Sequence, residues 1–135
     1  MTGVYNRLTI DQMILHEIVR SKRYGSSFSL VMLDLDDFKK INDTFGHHVG
    51  DEVLRSICRL LQEKVRITDK IGRWGGEEFI ILLAETNISD AFLAAEKLCR
   101  MIADTPVGNN MRITASIGVC SYKEGQTMED GGAYW

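Results

Sequence analysis

The chain has 135 residues, 44% of them hydrophobic, which suits one domain with a real core and argues against extended disorder. Its 16 Lys+Arg against 19 Asp+Glu give 16 − 19 = −3, which speaks against general binding to a nucleic-acid backbone but not against a small anion held through a metal ion. No apolar run is long enough to span a membrane, and the N-terminus has no signal-peptide core.

Cys58, Cys99 and Cys120 are an odd, widely spaced set in apolar surroundings. They read as buried free thiols of a reducing compartment, and the expected location is the cytoplasm. Met1 to Arg7 reads as the approach to a helix. Ile10, Met13, Ile14 and Ile18 then repeat at helical spacing and predict a helix over about 8–24, ended by Gly25-Ser26-Ser27. Phe28 to Leu35 is short and nearly all apolar, as in a buried strand, and runs into Asp34, Asp36 and Asp37. Phe38, Ile41 and Phe45 mark a short helix with Gly46 as its cap. A second helix is expected to open at Gly50-Asp51 and to bury Val53, Leu54, Ile57, Leu60, Leu61 and Val65.

Lys70–Trp74 and Glu77–Leu83 read as two strands joined by Gly75-Gly76, a two-residue turn in which glycine would supply positive φ. Ser89 is the expected N-cap of a helix bearing Ala91, Ala95, Leu98 and Ile102. Ile113, Ala115, Ile117 and Val119 alternate as in a half-buried strand. Asp130 to Trp135 promises no element of its own. The order helix, strand, two helices, hairpin, helix, strand predicts the α+β class: an antiparallel sheet flanked by helices, with the helices on one face.

Two carboxylate clusters carry the chemistry. One is Asp34-Leu35-Asp36-Asp37 at the end of a buried strand, the other Glu77-Glu78 beside the hairpin turn. If those strand ends are neighbours, like charges crowd and a cation is needed to relieve them. Mg²⁺ suits such a place, since it takes a few carboxylate oxygens and leaves the rest of its shell to water and phosphate. The bland alternative is that each carboxylate is a solvated turn residue. An EF-hand reading of 34–45 fails, because Phe38 and Lys39 stand where an oxygen ligand and glycine belong. Zinc fails too: His47-His48 are adjacent, and no cysteine pair joins them.

The segments DLDDFKKINDTFGHHVGDEVL (Asp34 to Leu54) and RWGGEEF (Arg73 to Phe79) resemble the GGDEF family of diguanylate cyclases. TGVYNR (Thr2 to Arg7) and ASIGVCSY (Ala115 to Tyr122) are similar to further segments of that family, so the resemblance covers nearly the whole chain. It implies a fold like the palm of nucleotide polymerases and nucleotidyl cyclases. It also implies condensation of two GTP molecules into cyclic di-GMP with release of pyrophosphate.

By the same resemblance Asp34, the Leu35 carbonyl and Glu77 hold Mg²⁺, with Mn²⁺ as an alternative ion. Glu77 also assists loss of the 3′-hydroxyl proton, Glu78 helps hold a second ion, and Lys39 steadies phosphate charge. Asn42, His47 and Asp51 match substrate-contact positions. Guanine offers an N1–H and N2–H donor pair that a carboxylate such as Asp51 can accept. Asn42 could equally be helix-surface polarity, and Asp51 an N-cap. Gly75 and Gly76 let the backbone approach the nucleotide.

Arg66 and Asp69 form an RxxD motif like the family's product-inhibition site, although Arg66 could simply complement a helix end. The expected partners are GTP, cyclic di-GMP as product and inhibitor, a second copy in a homodimer needed for turnover, and an upstream sensor or receiver domain. No nucleic acid is expected. The family pattern usually opens with an acidic residue before Leu-Thr-Gly, and it ends in a helix whose Lys and Arg grip triphosphate. Residues 1–135 therefore read as one GGDEF domain that is incomplete at its C-terminal helix. The competing reading is a catalytically silent module that binds GTP or cyclic di-GMP.

Overall fold

The computed structural model describes residues 4–108, 110–123 and 129–133, the last five by backbone alone. The elements in chain order are α1 (Arg7–Tyr24), β1 (Phe28–Leu35), α2 (Phe38–Phe45), α3 (His47–Lys64), β2 (Lys70–Arg73), β3 (Glu78–Ala84), α4 (Ile88–Asp104), β4 (Ala115–Tyr122) and β5 (Glu129–Ala133). The five strands form one sheet in the order β2-β3-β1-β4-β5, and every neighbouring pair is antiparallel. The α+β expectation holds. The expectation that the tail has no element does not, because 129–133 add an edge strand to β4. Met128, Tyr134 and Trp135 lie outside the described residues.

The helices cover both faces of the sheet, not one. Side chains alternate across a strand, so β1 feeds two cores. Val31, Leu33 and Leu35 join α2, α3 and α4 through Phe38, Ile41, Val53, Ile57, Leu61, Ala95 and Ile102. Phe28 and Leu30 join Ile10 of α1, with Ile80, Leu82 and Tyr122, and the Phe28 and Tyr122 rings stack at 5.5 Å. A sequence run that is apolar on both faces signals exactly this double cover; the direction from which α1 packs is not written in its own periodicity. β4 is likewise buried on both faces: Ile117 and Val119 face one core, and Tyr122 the other.

Local chemistry sets the ends of the elements. The Asn6 side chain caps α1 by accepting from the Thr9 amide at 2.9 Å, and Gly25 at φ 68 closes it. α3 begins at His47, three residues before the expected start, directly after Gly46 at φ 91. Asn87, not Ser89, caps α4, its side chain accepting from Asp90 N at 2.8 Å. Gly72 allows α1 to approach the β2 edge, since a Cβ there would meet the Ile10 side chain at 2.6 Å. The outer edge of β2 is covered by Tyr5, whose amide donates to Ile71 O at 2.9 Å and whose carbonyl accepts from Arg73 N at 2.8 Å. Cys58 is buried, whereas Cys99 and Cys120 are only partly so, and none of the three is in a disulfide. Among the described residues no helix is long and apolar enough to cross a membrane.

Candidate active site

The sheet order places β1 between β3 and β4, and this brings the two carboxylate clusters together. Asp34 pairs with Glu78 on one side and with Ser116 on the other. Directly opposed residues share a face of the sheet, so the Asp34 and Glu78 side chains emerge side by side. The Leu35 amide donates to Glu77 O at 3.1 Å, which ties the hairpin loop to the end of β1.

Asp34 is the outlier of the cluster. Its Oδ1 is buried with no hydrogen-bond partner among the described residues. Desolvation pushes its carboxyl above the ordinary range, and repulsion from Glu77, Glu78 and Asp36 adds to the rise. A carboxylate held in this way is charged at a cost unless a cation joins it. Among the described residues no group of three or more His, Cys, Asp or Glu side chains is arranged to cage a metal. A divalent cation at this place would have to take most of its shell from water or ligand oxygens. The remaining aspartates differ. Asp36 accepts from the hydroxyls of Thr114 and Ser116, each at 2.7 Å, and Asp37 is exposed at φ 57.

The hairpin corrects the sequence expectation. β2 ends at Arg73 and β3 starts at Glu78, and both Trp74 N, at 2.8 Å, and Gly75 N, at 3.3 Å, donate to Glu78 O. The loop is thus Gly75-Gly76-Glu77, and neither glycine is among the residues at positive φ. The turn is held by Arg73 instead: its Nε donates to Gly75 O at 3.2 Å and its Nη2 to Gly76 O at 2.6 Å. A Cβ on Gly76 would meet nothing within 4 Å, so the protein's own packing does not require glycine there. Trp74 is anchored by Arg7, whose guanidinium lies 4.3 Å from the ring centroid.

Asn42, His47 and Asp51 lie on the α2–α3 pair. A Cβ on Gly50 would fall on Asn42 Oδ1, so Gly50 is what lets α3 cross so close to this side chain. His47 and Asp51 are one turn apart on α3 and both exposed. Because α3 starts at His47, Asp51 is not its N-cap, and that alternative use is removed. His48 is engaged separately, 3.3 Å from Glu52. Lys39 is exposed in the first turn of α2.

Arg66 and Asp69 lie at the far end of β3. The Asp69 side chain is 3% exposed and accepts from Arg66 Nε at 3.1 Å, Nη2 at 2.9 Å and the Arg66 amide at 3.0 Å. Arg66 Nη2 also reaches Ala84 O at 3.0 Å and Thr86 Oγ1 at 2.8 Å. Hydrogen bonding to Asp69 chiefly raises the Arg66 pKa further. Beside the pair is a cleft of about 520 Å³, lined by Arg66, Asp69, Leu83, Leu93, Lys97 and Met101 among others. It opens near Leu83, five residues along β3 from Glu78, so roughly 17 Å separates it from the carboxylates. The motif forms no part of the carboxylate site.

Three site features were missed in the sequence: the Arg73 clamp, the role of Gly50 under Asn42, and the Thr114 and Ser116 donors to Asp36. Only the last left a sequence signal, polar residues alternating with the apolar positions leading into β4.

An antiparallel sheet whose central strand delivers a carboxylate beside an acidic hairpin, with helices on both faces, is the architecture of the nucleotidyl cyclase palm. Residues 1–131 match the family described as diguanylate cyclase, GGDEF domain, and the chain belongs to that family. It is 38% identical over 135 residues to the response regulator PleD of Caulobacter vibrioides, with 96% of this chain covered; it spans only 30% of PleD's length. It superposes at a TM-score of 0.85 on the active GGEEF domain of a diguanylate cyclase from Vibrio cholerae, at 37% identity, covering 92% of this chain and 80% of that one. A TM-score of 0.85, at 26% identity, is also reached with the GGDEF domain of DgcB from Caulobacter crescentus in complex with c-di-GMP, covering 93% of this chain and 77% of that one.

Proposed function

We propose that this chain is a GGDEF domain, spanning 1–135, that binds GTP through a divalent cation and joins two GTP molecules into cyclic di-GMP. The observation that carries this reading is the orphaned Oδ1 of Asp34, set among Glu77, Glu78 and Asp36 at the end of β1. Asp34, the Leu35 carbonyl and Glu77 would hold Mg²⁺, or Mn²⁺ in its place, with Glu78 beside them for a second ion. When bound, the ion neutralises phosphate charge and polarises the oxygens of an in-line displacement.

The residues of the chain do the rest. Asn42 and Asp51 read guanine, since Asp51 can accept from N1–H and N2–H while an amide both donates and accepts. His47 borders the nucleotide, and Lys39 offsets phosphate charge. Glu77 accepts the 3′-hydroxyl proton as that oxygen attacks the α-phosphorus and the bond to pyrophosphate breaks. Gly76, open on the side a Cβ would occupy, and Gly75, whose Cβ would lie against the Glu78 side chain at 3.6 Å, leave room for the nucleotide.

One site holds one GTP, so two sites must face each other, each 3′-hydroxyl aimed at the partner's α-phosphate. That is a two-fold homodimer with isologous contacts. Turnover then rises with the square of protein concentration at high dilution. The exposed Arg66 beside its cleft supports the RxxD pair as a second contact for cyclic di-GMP, as product inhibitor. The similarity to a response regulator supports a regulatory domain elsewhere in the polypeptide, and the GTP supply places the reaction in the cytoplasm.

The direct test is incubation with GTP and Mg²⁺ followed by chromatography. Cyclic di-GMP formed in a metal-dependent, second-order manner supports the reading. GTP binding without any product at high protein concentration points to a silent binding module instead.

A further inference from the structure

The β1–α2 turn places a non-glycine residue, Asp37, at φ 57, a conformation that costs free energy unless its surroundings enforce it. Enforcement comes from the residue before it. The Asp36 amide donates to Thr114 O at 2.9 Å; its Oδ2 accepts from Thr114 Oγ1 and its Oδ1 from Ser116 Oγ, both at 2.7 Å. Three bonds from one segment thus fasten the chain immediately after Leu35 and Asp34.

A second consequence concerns where the protons go. Ser116 is the residue directly opposite Asp34 in the β1–β4 register. Asp34 and Ser116, directly opposed, share one face of the sheet, and Asp36 and Thr114 lie just outside the ends of β1 and β4. The Ser116 hydroxyl has one proton to give, and Asp36 takes it. Asp34 Oδ1 is left buried without a donor among the described residues, although a hydroxyl stands opposite it.

We infer that Asp36 is a positioning residue: by capturing the hydroxyl protons of Thr114 and Ser116 it fixes the β1–α2 turn and keeps the Asp34 carboxylate unsatisfied by protein, open to the cation that arrives with GTP. The inference rests on the metal-dependent GTP reading given above. A carboxylate that already accepts a hydroxyl proton is a poorer ligand, because that bond must be given up when the ion binds.

The test is GTP binding by calorimetry across a Mg²⁺ series, which reads the Mg²⁺ midpoint independently of turnover. In Asp36→Ala the Ser116 hydroxyl is released to Asp34, and the midpoint should rise about tenfold. Asp36→Ala/Ser116→Ala carries the same charge but has no serine to compete, so it should recover part of that loss. A midpoint unmoved in Asp36→Ala, or a double variant no better than the single, overturns the inference and leaves the metal-dependent site standing.

Asp36→Asn serves where the alanine variants fail to fold. Its amide oxygen can take the Ser116 proton that Oδ1 takes in the parent while its nitrogen donates to Thr114 Oγ1, so its midpoint should stay within about threefold of the parent's. A tenfold shift there overturns the inference as well. A parent that binds GTP equally with and without Mg²⁺ removes both the inference and the reading beneath it.

Discussion

Replacing Asp34 with Asn should make the ligand-free protein more stable while removing its function. In the parent, Oδ1 is buried without a donor, and Glu77, Glu78 and Asp36 all repel the charge. An unsatisfied buried polar group costs about 1–3 kcal/mol, more when charged. Asn keeps a polar oxygen there but removes the charge and its repulsion, and Asp34 is only partly buried, so the gain in Asp34→Asn should be about 1 kcal/mol. For a domain of this size that raises the melting temperature by about 3–5 °C.

The pH dependence follows from the raised carboxyl. Folding binds this proton more tightly than the unfolded chain does, so the parent loses stability as pH rises from about 4 through the raised value. The advantage of Asp34→Asn is therefore fully developed at pH 7.5 and fades toward pH 4. The assay is thermal unfolding of both proteins in EDTA over that range. Saturating Mg²⁺ and GTP should reverse the order, since a ligand at 100 times the parent's Kd stabilises the parent by about 2.7 kcal/mol and a variant that binds tenfold or more weakly by about 1.4 kcal/mol or less. An Asp34→Asn protein that melts below the parent in EDTA at pH 7.5, or a gap that does not change with pH, refutes the reasoning.

Asp51→Ala should narrow the preference for GTP over ATP by about tenfold or more, because a site built around polar partners rejects a base that leaves them unpaired. Competition calorimetry reads this, and equal competition by the two nucleotides in the parent sinks the base assignment. Arg66→Ala should weaken cyclic di-GMP binding while sparing GTP. It should also cost about 1–2 kcal/mol in denaturant titration, because Asp69 loses both guanidinium donors and keeps the backbone N–H of residue 66. Unchanged product affinity would leave the pair a purely structural tie. Gly72→Ala should destabilise by about 1–3 kcal/mol, since its Cβ would overlap Ile10. A wild-type unfolding midpoint would show that α1 shifts freely on the sheet.

The elements whose apolar pattern has a clear period were legible in the sequence. β1 matched its expected span from Phe28 to Leu35, and α2 ended at Gly46 as its capping glycine required. The errors at the turn and the cap fell where a side-chain bond to backbone two or three residues away decides. The turn at Gly75-Gly76 looked like a two-residue hairpin because glycine pairs favour that turn, but the Arg73 fork on both glycine carbonyls selects a three-residue loop without positive φ. Ser89 looked like a cap because serine favours that position; Asn87, two residues earlier, reaches Asp90 N first. The meeting of Asp34 with Glu77 and Glu78 could be posed from sequence only as a condition. It depends on β1 lying next to β3, and strand order is a property of the whole sheet. Residue type and spacing alone did not distinguish Asp34 from Asp36; only the family resemblance singled out Asp34, since the physical difference lies in which carboxylate the Thr114 and Ser116 hydroxyls reach.

The central claim is that the carboxylates at the end of β1 and in the hairpin hold GTP through a divalent cation. Titrating GTP into the parent, Asp34→Asn and Glu77→Gln proteins, each with Mg²⁺ and again with EDTA, tests it most directly. Saturable binding by the parent in Mg²⁺ alone, lost in EDTA and weakened at least tenfold in both variants, is the predicted result. Equal GTP affinity in all three proteins, with or without the metal, would contradict it.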